Sequence, residues 1–170
     1  MINAIVYTSN TGYTAEYAKL LGKKTGLPVF PLDKAGSEVS DNSEILYLGW
    51  LMAGTVKGYK SAAKRYRIRA VCAVGMGGMG TQIEEVRKKN SIPDQTALFT
   101  LQGGFDITKL HGIYKLMMTV MVKTAGKRLS QKADRTPDED EMLEMMLHGG
   151  SHVGMENLAG VLAWMQNQEH

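Results

Sequence analysis

Short apolar segments alternate with helical patterns through the first 100 residues, and this alternation constrains the fold more than any other feature. Runs of this length between polar, glycine-containing turns are typical of buried strands, and helices between successive strands indicate parallel βαβ units. The sequence therefore predicts one α/β domain, residues 1–170, with a doubly wound five-stranded parallel sheet. The predicted strands are residues 2–7, 29–32, 45–49, 70–74 and 97–101.

Helical patterns occupy the connections between these strands. The first predicted helix, residues 13–24, ends at Gly26-Leu27-Pro28, where a glycine and a proline make continuation unfavourable. A basic helix is predicted through Ser61-Ala62-Ala63, and another covers residues 82–89. These helices supply the crossovers that a parallel sheet requires.

A helical insertion, residues 104–150, is predicted after the fifth strand. Apolar residues recur there at helical spacing, so we expect a long amphipathic helix over residues 107–126 that ends at Gly126. The surplus apolar residues Leu116, Val120 and Val122 extend its apolar surface. The sequence leaves four alternatives for what covers this surplus: the following helices, a partner subunit in a homodimer, a flat apolar ligand or a membrane surface.

Two further helices are predicted near the C-terminus. Thr136-Pro137-Asp138-Glu139 combines an N-cap threonine, a proline in the first turn and a capping-box glutamate, which together mark a helix start. That helix should end at His148-Gly149-Gly150. Apolar spacing from Leu158 to Met165 indicates a closing helix.

Composition narrows the class of protein. The single cysteine, Cys72, excludes an internal disulfide and fits a reducing cytoplasm. We see no secretory signal and no apolar run of the roughly 18 residues that a membrane span needs, so we expect a cytoplasmic protein. The four histidines do not share a helix face at metal-binding spacing, so no metal site is predicted. They are His111, His148, His152 and His170.

Positive charge is concentrated in two stretches. Residues 57–69 contain six basic residues and no acidic one, and residues 109–135 contain seven basic residues against Asp134 alone. The first stretch precedes a buried strand and lacks aromatic spacing, so it predicts a solvated face and no nucleic-acid site. The second indicates an acidic partner, a carboxylate-bearing substrate or peripheral contact with an anionic membrane through residues 104–135.

The loop after the first predicted strand has the chemistry of a phosphate site. Thr8-Ser9-Asn10-Thr11-Gly12-Tyr13-Thr14 presents backbone N–H groups and hydroxyls at the positive end of a helix dipole. The loop has no lysine, and neither the P-loop nor the dinucleotide glycine pattern is present. These features suit a permanently held monoester better than a triphosphate that is cleaved, although simple capping of the helix is the alternative.

Residues 9–14 resemble the flavodoxin FMN-phosphate loop, S/T-x-T-G-x-T. Residues 49–55 and 75–81 are similar to the two loops with which flavodoxins surround the flavin ring. Glycines in such loops allow backbone amides to approach the ring edge. The resemblance implies a flavodoxin-like fold and one bound FMN. The cofactor-binding residues it implies are Ser9, Asn10, Thr11, Gly12, Tyr13, Thr14, Leu51, Met52, Ala53, Gly54, Thr55, Gly75, Met76, Gly77, Gly78 and Met79.

The insertion resembles, less specifically, that of the flavodoxin-like, quinone-linked protoporphyrinogen oxidases. The resemblance rests on a basic, methionine- and aromatic-containing segment from Gly103 to Gly126. It implies an oxidoreductase that passes electrons from a substrate to a quinone. The resemblance to electron-carrier flavodoxins implies instead a shuttle that meets a redox partner protein.

The chemistry in either case belongs to the flavin, so no catalytic side chain is predicted. A third reading is a flavodoxin-fold regulatory or interaction module without redox turnover. The methionines of the insertion recur at helix spacing, and we expect core or interface packing for them. Trp50 lies close to a strand end, and we expect its side chain to point into the core.

Overall fold

The computed structural model describes residues 1–168 and centres on a mostly parallel sheet. The strands of the first 102 residues are β1 (Ala4–Thr8), β2 (Val29–Pro31), β3 (Glu44–Met52), β4 (Thr55–Val56), β5 (Arg67–Gly75) and β6 (Ala97–Gln102). The parallel strands lie in the order β2-β1-β3-β5-β6, and β4 pairs antiparallel with the end of β3. The predicted α/β class is therefore confirmed, but the sheet has a sixth, short strand that the sequence pattern did not indicate.

The helices between these strands are α1 (Tyr13–Thr25), α2 (Leu32–Glu38), α3 (Tyr59–Ala63) and α4 (Ile83–Asn90). Three of them agree with the predicted crossovers within a few residues. Helix α2 was missed, and Leu32, predicted to end the second strand, begins this helix instead. Its seven residues include Gly36 and are too few to establish a periodic apolar face.

The insertion forms a separate group of elements that a small antiparallel ribbon closes. Strand β7 (Gly104–Phe105) pairs with β8 (Gly150–Ser151). Between them lie α5 (Gly112–Met121), a π-helical turn (Val122–Gly126), α6 (Lys127–Gln131) and α7 (Pro137–His148), after a 3-10 turn at Ile107–Lys109. The predicted stop at Gly126 is wrong, because this glycine has helical dihedral angles (φ −60°, ψ −44°) and the helical path continues to Gln131.

The final helix, α8 (Ala159–Asn167), follows a 3-10 turn and confirms the predicted closing helix. It lies with α1 over one face of the sheet, where Leu21 and Val161 share a buried cluster with Leu46. Helices α2, α3 and α4 cover the other face, where Tyr59 and Val86 pack in a second cluster. Because both faces are covered, the central strands read as continuous apolar runs.

The predicted capping box is confirmed at the start of α7. The Glu139 N–H donates to the Thr136 hydroxyl, and the Glu139 carboxylate accepts from the Thr136 N–H at 3.0 Å. Bonds from Lys132 and from this N–H hold the pKa of Glu139 below its usual range. Along residues 1–168, no helix combines the length and apolar character that crossing a bilayer requires.

Candidate functional site

A cavity of about 550 Å³ lies at the carboxyl edge of β1, β3 and β5 and is walled on its other side by the insertion. Its volume falls in the range of about 300–1,000 Å³ typical of small-molecule sites. The structure brings together here most of the residues predicted to bind a cofactor. These are Asn10, Thr11, Tyr13, Thr14, Leu51, Met52, Ala53, Gly54, Gly75, Met76 and Gly77.

The loop between β1 and α1 offers several hydrogen-bond donors. Gly12 has a positive φ of 100° and caps α1, and its N–H donates to the Ser9 hydroxyl at 3.2 Å. Within residues 1–168, no acceptor meets the backbone N–H groups of Thr11, Tyr13, Thr14 and Ala15. The start of α1 therefore presents unpaired donors together with the positive end of its dipole, which is an anion-binding arrangement.

A hydrogen-bond network fixes the end of β1 beside this loop. The Tyr47 hydroxyl donates to the Lys57 carbonyl at 2.7 Å, so the Thr8 hydroxyl, also at 2.7 Å, is the donor to Tyr47. Burial raises the pKa of Tyr47 well above its ordinary value, and the phenol stays a neutral donor. A Cβ at Gly58 would lie 2.2 Å from the Tyr47 hydroxyl, which explains a glycine there.

The second wall of the cavity is a tight hairpin between β3 and β4. Ala53 and Gly54 both have positive φ, 48° and 75°, as a two-residue type I′ turn requires. Positive φ is uncommon for alanine and marks local strain of the kind that collects at functional sites. The Lys89 ammonium donates to the Ala53 carbonyl from α4.

Asn90, at the end of α4, holds the same hairpin and was not anticipated from the sequence. Its Oδ1 accepts from the Val56 N–H at 2.9 Å, and its Nδ2 donates to the carbonyls of Gly54 and Val86, both at 2.8 Å. The residue is only 2% exposed, so these bonds fully satisfy a buried amide. Asn90 therefore positions the turn without entering the cavity.

The third wall is the glycine loop after β5. The Gly103 N–H donates to the Gly75 carbonyl at 2.7 Å, and the Gly80 N–H donates to the Thr100 carbonyl at 3.1 Å, which ties the loop to β6 and its extension. A Cβ at Gly77 would lie 3.2 Å from the Thr81 hydroxyl, so a side chain there would require a shift. The absence of side chains lets the backbone at Gly75 and Gly77 form the wall itself.

The remaining predicted residues do not line this cavity. Ser9 and Gly12 face a second, open pocket on the β2 side of the loop. Thr55 pairs with Met52 in the hairpin, and the Met79 sulfur accepts from the Gln102 N–H at 3.2 Å. Gly78 accepts from the Thr81 hydroxyl within its own turn. These residues shape the loops and do not contribute wall surface.

Aromatic side chains join the sheet to the insertion at the cavity. Trp50 lines the wall and meets Tyr114 of α5 edge-on, with ring centroids 5.3 Å apart. The Lys57 ammonium lies 5.8 Å from the Trp50 ring centroid and 5.5 Å from that of Tyr114. The expectation that Trp50 points into the core is therefore wrong, because the insertion supplies an aromatic partner at the edge of the fold.

Tyr13 makes a second contact between the cavity loops and the insertion. Its ring lies against Gly104, where a Cβ would be 2.5 Å from the Tyr13 Cε1 atom. The Lys109 ammonium lies 5.0 Å from the centroid of the Tyr13 ring. The first turn of α1 is thus in direct contact with the start of the insertion.

The insertion supplies an apolar wall that the sequence analysis assigned to packing. Met145 is buried as expected, in a small cluster with Phe105 and Leu110. The other methionines of α5 and α7 face the cavity. Their helical spacing was the one sequence feature from which a shared methionine face could have been recognised. The wall residues from this segment are Phe105, Leu110, Met117, Met118, Met121, Ala125, Met142 and Met146.

Few ionisable groups reach the cavity. Glu85 and Asp106 lie in its wall, and hydrogen bonds from Thr108 hold the pKa of Asp106 below its usual range. Burial raises the pKa of the Cys72 thiol, which keeps it protonated and unreactive. Residues 1–168 contain no group of histidine, cysteine or acidic side chains arranged to hold a metal ion, and His170 lies outside them.

No protein-family model, no curated protein and no solved structure matches this chain. The fold and the cavity define an α/β protein with a mostly parallel sheet, whose loops at the carboxyl edge of the strands line a cavity of small-molecule size. Function must therefore be argued from the chemistry of that site.

Proposed function

We propose that this chain holds one FMN in the cavity and transfers electrons through it, as a flavodoxin-like protein. Numbered among themselves, the parallel strands have the order 2-1-3-4-5. This is the flavodoxin-like order, in which FMN binds at the switch point between the first and third strands. The cavity lies at that switch point, where the loops after β1 and β3 diverge.

The observation that carries the proposal is the set of unpaired N–H donors at the start of α1, beside the hydroxyls of Thr11 and Thr14. A terminal phosphate bound there would accept from these donors and lie at the positive end of the helix dipole. The loop contains no lysine or arginine, so dipoles and hydroxyls would neutralise the charge. That suits a cofactor that stays bound.

The remaining walls fit a flat, mostly apolar ring system. The Ala53-Gly54 turn and the loop from Gly75 to Gly77 offer backbone groups at the ring edge, and Trp50 and Met118 offer apolar surface. When bound, FMN supplies the redox chemistry, since its ring accepts and releases electrons. The chain's own residues would orient the ring and exclude water from it.

A second candidate is an enzyme of the same cofactor, of the kind that oxidises a small substrate and reduces a quinone. The apolar wall from α5 and α7 favours it, because a shuttle that meets protein partners needs an accessible ring edge and no second wall. A methionine-rich surface adapts well to flat apolar ligands. Under this reading, water-soluble quinones would reoxidise the reduced protein faster than electron-carrier proteins do.

Substitution of the loop hydroxyls tests the phosphate assignment. Thr11→Val and Thr14→Val keep the side-chain shape and remove one hydroxyl each, and each should weaken FMN binding by about 1–3 kcal/mol. Riboflavin has no phosphate, so its affinity should barely change. Fluorescence-quenching titrations of the apoprotein with both flavins measure the difference.

Thr25→Val is the matched control, since Thr25 lies at the opposite end of the same helix and its hydroxyl donates to the Leu21 carbonyl at 2.8 Å. It should leave FMN affinity unchanged. Equal losses for FMN and riboflavin in the Thr11 and Thr14 variants would place the phosphate elsewhere.

A further inference from the structure

Half of the exposed large apolar side chains found in residues 1–168 lie on one stripe of α5. Ile113, Leu116, Met117 and Val120 are 68%, 65%, 49% and 54% exposed. Their spacing of three and four residues places them on one face of the helix, so they form a continuous surface. The alternative in which the following helices cover both faces of this helix is therefore wrong for this face.

Unpaired positive charge follows the stripe along the chain. Lys123, Lys127 and Arg128 are exposed. The ion pairs that lysine and arginine side chains make within the insertion join Lys109 to Asp106, Lys132 to Glu139, and Arg135 to Asp140. No acidic partner among residues 1–168 neutralises the three cations after the stripe, and no acidic residue occurs from 107 to 133.

We propose that α5 and the basic segment after it, Gly112–Arg128, form a docking surface for an anionic lipid bilayer. An apolar stripe next to unpaired cations is the composition of a helix that lies in the headgroup region. The apolar side chains would enter the acyl boundary, and the cations would remain among the headgroups. Met117 lies where the stripe borders the cavity and also lines its wall, and the other face of α5 continues that wall through Met118 and Met121.

Charge argues against a second copy of this chain as the occupant. In a symmetric dimer the same patch meets itself, so Lys123, Lys127 and Arg128 of the two copies would approach one another. That repulsion has no compensating carboxylates from residues 107–133. The inference does not depend on the cofactor, and the apoprotein should bind lipid as the loaded protein does.

Co-sedimentation with vesicles tests the proposal. The vesicles are phosphatidylcholine with about 30% phosphatidylglycerol, or phosphatidylcholine alone. Wild type should bind the anionic vesicles at about 20 mM salt, bind them far less at about 500 mM, and ignore the neutral ones. The variant K123Q/K127Q/R128Q should bind about a hundredfold more weakly, at about fivefold for each cation removed.

Matched variants distinguish binding through this patch from the effects of net charge and of exposed apolar residues elsewhere on the protein. K60Q/K64Q/R67Q removes three exposed cations from the other basic stretch and should retain at least half of the binding. L116Q/V120Q should abolish binding, whereas L147Q, at an exposed site on α7, should not. Circular dichroism verifies folding, and Ile113→Gln replaces the double variant if that variant unfolds.

Failure of folded wild type to bind anionic vesicles at low salt would overturn the proposal. So would equal loss in K123Q/K127Q/R128Q and K60Q/K64Q/R67Q, which would indicate attraction by net charge alone. Sedimentation that reports a dimer dissociated by L116Q/V120Q, without vesicle binding, would assign the stripe to a second copy.

Discussion

Asn90 shows at the scale of one residue how the site is held in place. Its buried amide bonds three backbone groups, and two of these belong to the hairpin that walls the cavity. The side chain thereby connects α4 to a turn whose alanine has a positive φ. A local strain of this kind persists only where surrounding contacts fix the conformation.

Replacement of Asn90 by alanine should lower the free energy of unfolding by about 2–3 kcal/mol, because the Val56 N–H and the Gly54 carbonyl lose their buried partner. Urea unfolding monitored by circular dichroism measures the change. Lys88→Ala, at an exposed position of the same helix, should change stability by less than about 0.5 kcal/mol. Equal stabilities of the Asn90 and Lys88 variants would show that the hairpin is held by other contacts.

The sequence indicated residues of the cavity loops, but not the distant residues that hold those loops in place. Thr11, Thr14 and the glycines that end and follow β5 could be identified because each loop motif consists of consecutive residues. Asn90 bonds groups 34 and 36 residues away, and nothing in its neighbours indicates them. Trp50 was misplaced for the same reason, since its partner Tyr114 belongs to a distant element.

At the scale of elements, the β7–β8 ribbon fastens the insertion to the sheet. Gly104 has no room for a side chain, because a Cβ would lie 2.5 Å from both the Gly150 carbonyl oxygen and the Tyr13 ring. The backbone oxygen cannot move without opening the ribbon. Gly104→Ala should therefore destabilise the protein by about 1–3 kcal/mol, measured by urea unfolding.

Gly126→Ala is the matched control for this substitution. Its φ of −60° suits any residue, and a Cβ there would have no atom within 4 Å outside its own helix. Alanine restricts the unfolded chain more than glycine does, so this variant should gain about 0.5–1 kcal/mol. If Gly104→Ala is as stable as Gly126→Ala, the ribbon is not closely packed against Tyr13.

Elements with local signals were predicted, and elements fixed by their surroundings were not. The capping box of α7 involves only residues 136–139 and was identified correctly. Gly126 was predicted to end a helix because of its residue type, but it lies in the π-helical turn that connects α5 to α6 without a break. Helix α2 and strand β4 are too short to show a repeating pattern of apolar residues, so tertiary contacts determine their secondary structure.

At the scale of the whole molecule, the insertion adds a second wall to the cavity at one edge of the sheet. Loops of β1, β3 and β5 alone would leave this side of the cavity open, whereas α5 and α7 add an apolar wall. The spacing of the methionines indicated a helix face but not what that face meets. Whether such a face packs or lines a cavity depends on where the ribbon places the insertion.

Identification of the flavin that accompanies the purified chain tests the central claim most directly. The protein is expressed without added flavin, purified, shown to be folded by circular dichroism, and heated to release any bound cofactor for chromatography. The account predicts FMN at close to one per chain, because the unpaired N–H donors before and at the start of α1 suit one terminal phosphate and the chain has no dinucleotide fingerprint. Recovery of FAD, or of no flavin from folded protein that also fails to bind added FMN, would contradict it.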